Sequence, residues 1–236
     1  MKWNHNEIDR LSPILEQISA DLAPVDGKSI LILGSAAGEV ALRLAEMMEV
    51  GKVSGVELDP DALELARRSA HEMGLEGLVE FLPVEKNKLP VEDGTYDALV
   101  SDLIIYPTSS PTDIEQVEMV RCLKPGGRMI ITDVLVCVQF DERTREELAM
   151  VGLDYLRNVT LDEYKAWLQG AGLINVKVDN VTETLRPVWE ARQEADHSTS
   201  HVRGYELLLD DPITRLGKGI FYIYAMGNKP PAPKPG

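Results

Sequence analysis

Apolar residues along this chain follow two alternating rhythms. Short runs of Ile, Leu and Val bounded by Gly, Pro or Asp read as strands buried on both faces, while stretches with apolar residues every three or four positions read as helices. "SILIL" (29–33) is the first strand, followed by a glycine-bounded turn and a helix through Met48. "KVSGVEL" is the second, after which Asp59 caps a helix and Pro60 occupies its first position. "VEFLPV" and "YDALVSDLII" are the third and fourth, and Ser110-Pro111-Thr112-Asp113 starts a helix ending near Leu123. "KPGG" then turns into a fifth strand, "RMIITDVLV".

Beyond this point the rhythm changes. "FDERTREELAMVGLDYLRN" reads as a helical insertion, and Thr160-x-x-Glu163 is a capping box for a helix that stops at Gly170-Ala171-Gly172. "LINVKVDNV" is the sixth strand. A polar stretch from Thr182 to Lys218 precedes the last, "GIFYIYAM". Near the amino end, Ser12-Pro13 can start a helix with Ile14, Leu15, Ile18 and Leu22 on one face. The order predicts an α/β fold with a mostly parallel sheet covered by helices on both faces, and helical insertions after strands five and six.

Composition narrows the class. With 236 residues, 44% hydrophobic and 27% charged, the chain suits one large globular domain. Residues 1–228 are expected to form it, with 1–28 as an amino-terminal helical cap and 137–160 and 182–218 as insertions on the substrate side. Residues 229–236 read as a flexible proline-rich tail. No run approaches the roughly 20 apolar residues of a membrane span, and the polar amino end has no signal-peptide core. Cys122 and Cys137 sit in apolar stretches and read as buried thiols, not as a disulfide or a metal cluster. A cytoplasmic protein without a membrane partner is the expectation. The net charge of −15 repels phosphate backbones, which argues against a nucleic-acid partner.

The strongest chemical signal is "ILILGSAAGEVALRLAE". Gly34 permits a sharp turn, Gly38 lets a ligand approach the helix start, and the helix amides face a polar group. About 20 residues beyond such a turn an acid can accept hydrogen bonds from both hydroxyls of a ribose, and Glu57 closes the second strand there.

With "GVELDPDALELARR", "FLPVEKNKLPVEDGTYDALVSDLII" and "LKPGGRMIITD", this segment resembles the class I S-adenosylmethionine (SAM)-dependent methyltransferases, over about Ser29 to Asp133. The resemblance implies a Rossmann-like seven-stranded sheet with an antiparallel last strand. It implies SAM as cofactor, with S-adenosylhomocysteine as product, and no metal. Carried over, Gly34, Ser35, Ala36 and Gly38 would border the methionine part, Glu57 would hold the ribose and Leu58 would pack on the adenine. Glu85 would lie near the adenine amino group, and Asp102 would face the methionine or the acceptor. Two positions depart from the family pattern: Ile32 stands where an acid is usual, and Ala36 replaces a mid-turn glycine.

Methyl transfer from a sulfonium is an in-line displacement, so alignment in a dry site matters more than a fixed catalytic set. Acceptor-side candidates lie outside the sheet core. Tyr106, Asp133 and His197 are candidates for catalysis, and Trp3, Tyr155, Arg186, Trp189 and His201 for substrate binding, since aromatics can cover an acceptor and cations can pair with an anionic group. "NVTLDEYKAWLQGAGLINVKV" resembles the helix-strand unit of quinone-type and arsenite-type methyltransferases, without the cysteines an arsenite enzyme needs. Three functions stand open: a small-molecule methyltransferase acting on an oxygen, nitrogen or carbon centre, a non-catalytic SAM-binding or scaffold protein, and a nicotinamide oxidoreductase. The last lacks a complete G-x-G-x-x-G. A homodimer is the assembly to test.

Overall fold

The computed structural model describes residues 5–33, 38–57, 60–84, 88–102, 116–136, 142, 146, 160–184 and 220–233. In chain order these form α1 (His5–Leu22), β1 (Ser29–Leu33), α2 (Glu39–Met47), β2 (Lys52–Glu57), α3 (Pro60–Glu72), β3 (Val79–Pro83) and β4 (Tyr96–Asp102). Then follow α4 (Gln116–Cys122), β5 (Leu123–Val136), α5 (Leu161–Gly170), β6 (Ile174–Asn180) and β7 (Ile220–Asn228). The strands make one seven-stranded sheet in the order β3-β2-β1-β4-β5-β7-β6. Among the described strands only β7 runs against its neighbours, pairing antiparallel with both β5 and β6.

Because successive strand residues face opposite sides, the unbroken apolar run of β1 feeds two cores at once. Ile30 and Ile32 join a cluster built by α1, α2 and α3, including Ile14, Ile18, Leu44 and Leu63. Leu31 and Leu33 join the opposite cluster with Met119 of α4 and with Tyr164 and Leu168 of α5. Each such side chain taken from water contributes about 1.5–3 kcal/mol.

Two boundaries differ from the sequence reading. Helix α1 starts at His5, so Pro13 lies inside it. A cap-then-proline pair permits a helix start but does not compel one: here the helix runs through Pro13, giving up one i→i−4 hydrogen bond. A proline ring inside a helix also crowds the carbonyl one turn earlier. The expected face is nevertheless the buried one: Ile14, Leu15, Ile18 and Leu22 are all in the core. The second difference is in β5, which begins at Leu123 and not after the glycines. Leu123 pairs with Tyr96 and Arg128 with Ala98, so "KPGG" is a bulge within the ladder.

Polar contacts fix the periphery. Asp21 of α1 accepts from the Tyr224 phenol of β7 at 2.9 Å and from Gln17 Nε2 at 2.7 Å, and Arg128 donates to its carbonyl. Burial, and donation to Asp21, raise the Tyr224 phenol above its ordinary pKa. The Arg121 guanidinium donates five hydrogen bonds: two to Glu118, one to Asp93, and one each to the carbonyls of Val91 and Leu89. Glu118 in turn accepts from the Leu89 amide at 2.8 Å, so α4 clasps the segment between β3 and β4. Burial pushes the Cys122 thiol up to about 11, and its Sγ donates to the Glu118 carbonyl. At the far end, the Lys229 amide donates to the Gly127 carbonyl at 2.8 Å, tying the start of the carboxyl-terminal tail to the bulge.

Candidate functional site

The strand order reverses direction between β1 and β4: the chain builds outward through β2 and β3 on one side, then through β4 and β5 on the other. In open α/β sheets the crevice beyond the carboxyl ends at such a point is where ligands bind. Leu33, the last residue of β1, pairs with Val56 on one side and Ser101 on the other. Glu57 and Asp102 therefore stand one step beyond it, flanking the point where the chain leaves β1. Asp102 closes β4 opposite Thr132.

Glu57 is not a solvated strand end. It is 6% exposed, and strand alternation puts it on the face of Val53 and Gly55, the side covered by α2 and α3. Its carbonyl accepts from the Val84 amide at 3.0 Å, which fixes the strand terminus against the chain leaving β3. An ionised carboxylate only accepts hydrogen bonds, so this position suits a ligand presenting hydroxyl donors.

Gly38 caps α2 with φ 78°. A Cβ there would lie 2.4 Å from the Phe81 ring and 2.8 Å from Ala66. Gly55 meets the same ring, its Cβ falling 2.5 Å from Phe81. Phe81 is thus wedged over two glycines, and Gly38 brings the start of α2 tightly onto β3 and α3. This packing reason stands beside the ligand-approach reason that the sequence offered. Phe81 itself gave no sequence signal beyond being an apolar strand residue.

Asp133 does not end its strand, which runs on to Val136. Among the described residues β5 pairs with β4 as far as Thr132, opposite Asp102, and with β7 through Val136. Asp133 follows Thr132, the ladder partner of Asp102, and so stands at the carboxyl edge of the sheet beyond the end of β1. It is 4% exposed and accepts a hydrogen bond from the Tyr164 phenol at 2.9 Å. The sequence reading passed over Tyr164, although the capping box held the signal. With Thr160 as cap, Tyr164 and Leu168 fall four residues apart on one helical face, and both are buried. Ile32, at the position of the family's usual acid, is fully buried among apolar side chains.

The structure thus brings Glu57, Asp102 and Asp133 to the carboxyl edge of the sheet, with the helix start at Gly38 on the face of Glu57 and Tyr164 on the face of Asp133. Gly34, Ser35, Ala36, Leu58, Glu85, Tyr106, Tyr155, Arg186, Trp189, His197, His201 and Trp3 lie outside the described residues. No group of three metal-ligating side chains occurs among the described residues, and no described helix is long and apolar enough to cross a membrane.

This strand order, with its one antiparallel strand, is that of a Rossmann-like fold. Residues 24–183 match the methyltransferase domain family, and the chain belongs to that family. It is 29% identical over 174 residues to a 27-O-demethylrifamycin SV methyltransferase of Amycolatopsis mediterranei, covering 71% of this chain and 62% of the relative. It is 31% identical over 182 residues to the methyltransferase GfsG of Streptomyces halstedii, covering 75% and 63%. The chain therefore spans less than two thirds of these relatives' lengths. In fold it is similar to a geranyl diphosphate methyltransferase solved with geranyl diphosphate and sinefungin, with a TM-score of 0.74 at 20% identity, covering 92% of this chain and 77% of that one.

Proposed function

We propose that this chain transfers a methyl group from SAM to a small-molecule acceptor. The observation that carries the reading is the buried carboxylate of Glu57 at the carboxyl end of β2, beside the reversal of strand order, in a chain of the methyltransferase domain family. Two neighbouring ribose hydroxyls are donors that such a carboxylate accepts, so the residues present fit an adenosyl group. SAM supplies a methyl group on a positively charged sulfur, activated for displacement. The task of the chain is to hold, orient and keep dry.

In this reading Glu57 grips the ribose, Leu58 and Glu85 meet the adenine, and the segment Gly34 to Gly38 borders the methionine part. Asp102 faces the methionine or the acceptor. Tyr106, Asp133 and His197 serve the acceptor side, with Trp3, Tyr155, Arg186, Trp189 and His201 forming its cover. The relatives' names support a small organic acceptor: one is named for a rifamycin, and the solved structure carries geranyl diphosphate. No metal is invoked. A cytoplasmic protein acting on a small molecule, alone or as a homodimer, completes the reading, with 1–228 as one domain.

The buried Ile32 keeps one other function in view: a protein that holds SAM without turning it over. Calorimetry with SAM, S-adenosylhomocysteine and NAD, followed by transfer of a labelled methyl group to a panel of phenols, alcohols, amines and carboxylic acids, separates the readings. SAM binding with label transfer is expected. Binding without transfer favours the holding protein, and a preference for NAD overturns both. Glu57→Ala is expected to weaken SAM binding by about 1–3 kcal/mol, the cost of unpairing buried hydroxyls. An unchanged Kd would remove the ribose assignment.

A further inference from the structure

We propose that Tyr164 is a positioning residue for the methyl acceptor, acting through Asp133, and that the acceptor carries an O–H or N–H group which this carboxylate accepts. The inference rests on SAM-dependent methyl transfer as the activity and deepens it on the acceptor side.

The first argument is the pattern of β5. Met129, Ile131 and Leu135 point into one apolar cluster, and Asp133 occupies the slot between them. Placing a carboxylate among such neighbours costs several kcal/mol unless donors hold it, whereas a leucine facing a phenylalanine would pack there without that cost. Packing alone does not call for this pair. The Tyr164 hydroxyl, on a residue only 2% exposed, supplies one donor at 2.9 Å.

Location gives the pair its side of the reaction. Asp133 lies one residue past the Asp102–Thr132 pair and two steps beyond the level of Leu33, at the carboxyl edge of the sheet. Its strand is separated from that of Glu57 by β1 and β4, three strand spacings or about 14 Å. That is too far to share a ribose with Glu57, and it places Asp133 on the opposite flank of the crevice. A cavity of about 360 Å³ opens on the same side, lined among the described residues by Thr160, Leu161, Asp162 and Phe221. Leu161 is one turn ahead of Tyr164. Phe221 is two residues from Ile223, the ladder partner of Asp133. An acceptor body seated against Phe221 and Leu161 would have its polar group within the neighbourhood of the pair.

The test uses full-length wild type, Tyr164→Phe, Asp133→Asn, the double variant, and Leu168→Ala as a packing control on the same helix face. Each is measured for SAM Kd, thermal midpoint, and label transfer from SAM to a panel of phenols, alcohols, amines and acceptors lacking O–H and N–H. The expected result is transfer by wild type to an O–H or N–H acceptor. Tyr164→Phe should lower kcat/KM for that acceptor at least about tenfold, with SAM Kd within about twofold. The double variant should be no worse than Asp133→Asn, because the phenol acts through the carboxylate. Leu168→Ala should lower the thermal midpoint and leave acceptor kcat/KM near wild type. The proposal fails if Tyr164→Phe matches wild type, if the two losses multiply in the double variant, or if Leu168→Ala or a poorly folded Tyr164→Phe shows the same loss as Asp133→Asn. It also fails if wild type binds SAM but methylates no O–H or N–H acceptor. Wild type that does not bind SAM at all refutes the activity itself, a distinguishable outcome.

Discussion

At the scale of single residues, position on the sheet edge is what singles out otherwise ordinary side chains for the proposed site. Gly38 illustrates a residue with two reasons to be small. Its φ of 78° lies in the left-handed region, and a Cβ would press into Phe81 and Ala66. Gly38→Ala is therefore expected to cost about 2–4 kcal/mol, summing overpacking and backbone strain, as read by urea unfolding. A loss under about 0.5 kcal/mol would show that the Phe81 ring moves aside freely. The sequence pointed to Gly38 through its spacing from Gly34, but only the folded chain reveals Phe81 as the neighbour. Glu57 was legible for a different reason. An acid that ends an otherwise apolar strand is conspicuous in one dimension, and the structure adds that it is buried.

At the scale of elements, local signals mostly governed where structure begins and ends. The capping box is formed as read: the Glu163 amide donates to Thr160 Oγ1 at 3.3 Å, and the Thr160 amide donates to Glu163 Oε2 at 2.8 Å. Thr160→Ala should cost about 1 kcal/mol of stability by chemical denaturation. A neutral result would mean that α5 is held wholly by Tyr164 and Leu168. The clasp of α4 makes a pH prediction. Arg121 donation, joined by the Leu89 amide, holds the Glu118 carboxyl below the ordinary glutamate value of 4.5. A group with a lowered folded pKa stabilises fully above its unfolded value and loses that contribution as pH falls through the folded one. Arg121→Met should therefore trail wild type in thermal midpoint at pH 7, and the gap should narrow below about pH 4. It should not vanish, because the Val91 and Leu89 carbonyls lose their donor at every pH. A gap that stays constant from pH 7 to pH 3 would contradict the clasp's ionic part.

For the whole molecule, the consequence of the topology is that the proposed binding groups come from distant stretches of sequence. Glu57, Asp102 and Asp133 are separated by tens of residues, yet parallel strands bring their carboxyl ends to one edge. A ligand gripped there bridges both halves of the sheet and binds only the folded chain. SAM at 100 times its Kd should then raise unfolding free energy by about 2.7 kcal/mol, visible as an upward shift in thermal midpoint. No shift at saturating SAM would argue against the adenosyl site as a whole. The insertion between β6 and β7, where Arg186, Trp189, His197 and His201 cluster in sequence, belongs to this scale too. Its proposed part in acceptor choice predicts that Trp189→Ala impairs label transfer far more than SAM affinity, and equal losses would count against it.

The sequence by itself determined the seven strands, the helices that separate them and the acid at the end of β2. These follow from hydrophobic period, caps and turn residues, which act over a few positions. It also determined which face of α1 would be buried. The tertiary structure alone decided that the glycine turn becomes a bulge within β5 and that Phe81 lies across Gly38 and Gly55. It alone decided that the phenol of Tyr164 meets the carboxylate of Asp133, 31 residues away in the chain. Strand register and side-chain pairing depend on contacts between segments far apart in sequence, and no local pattern carries that information.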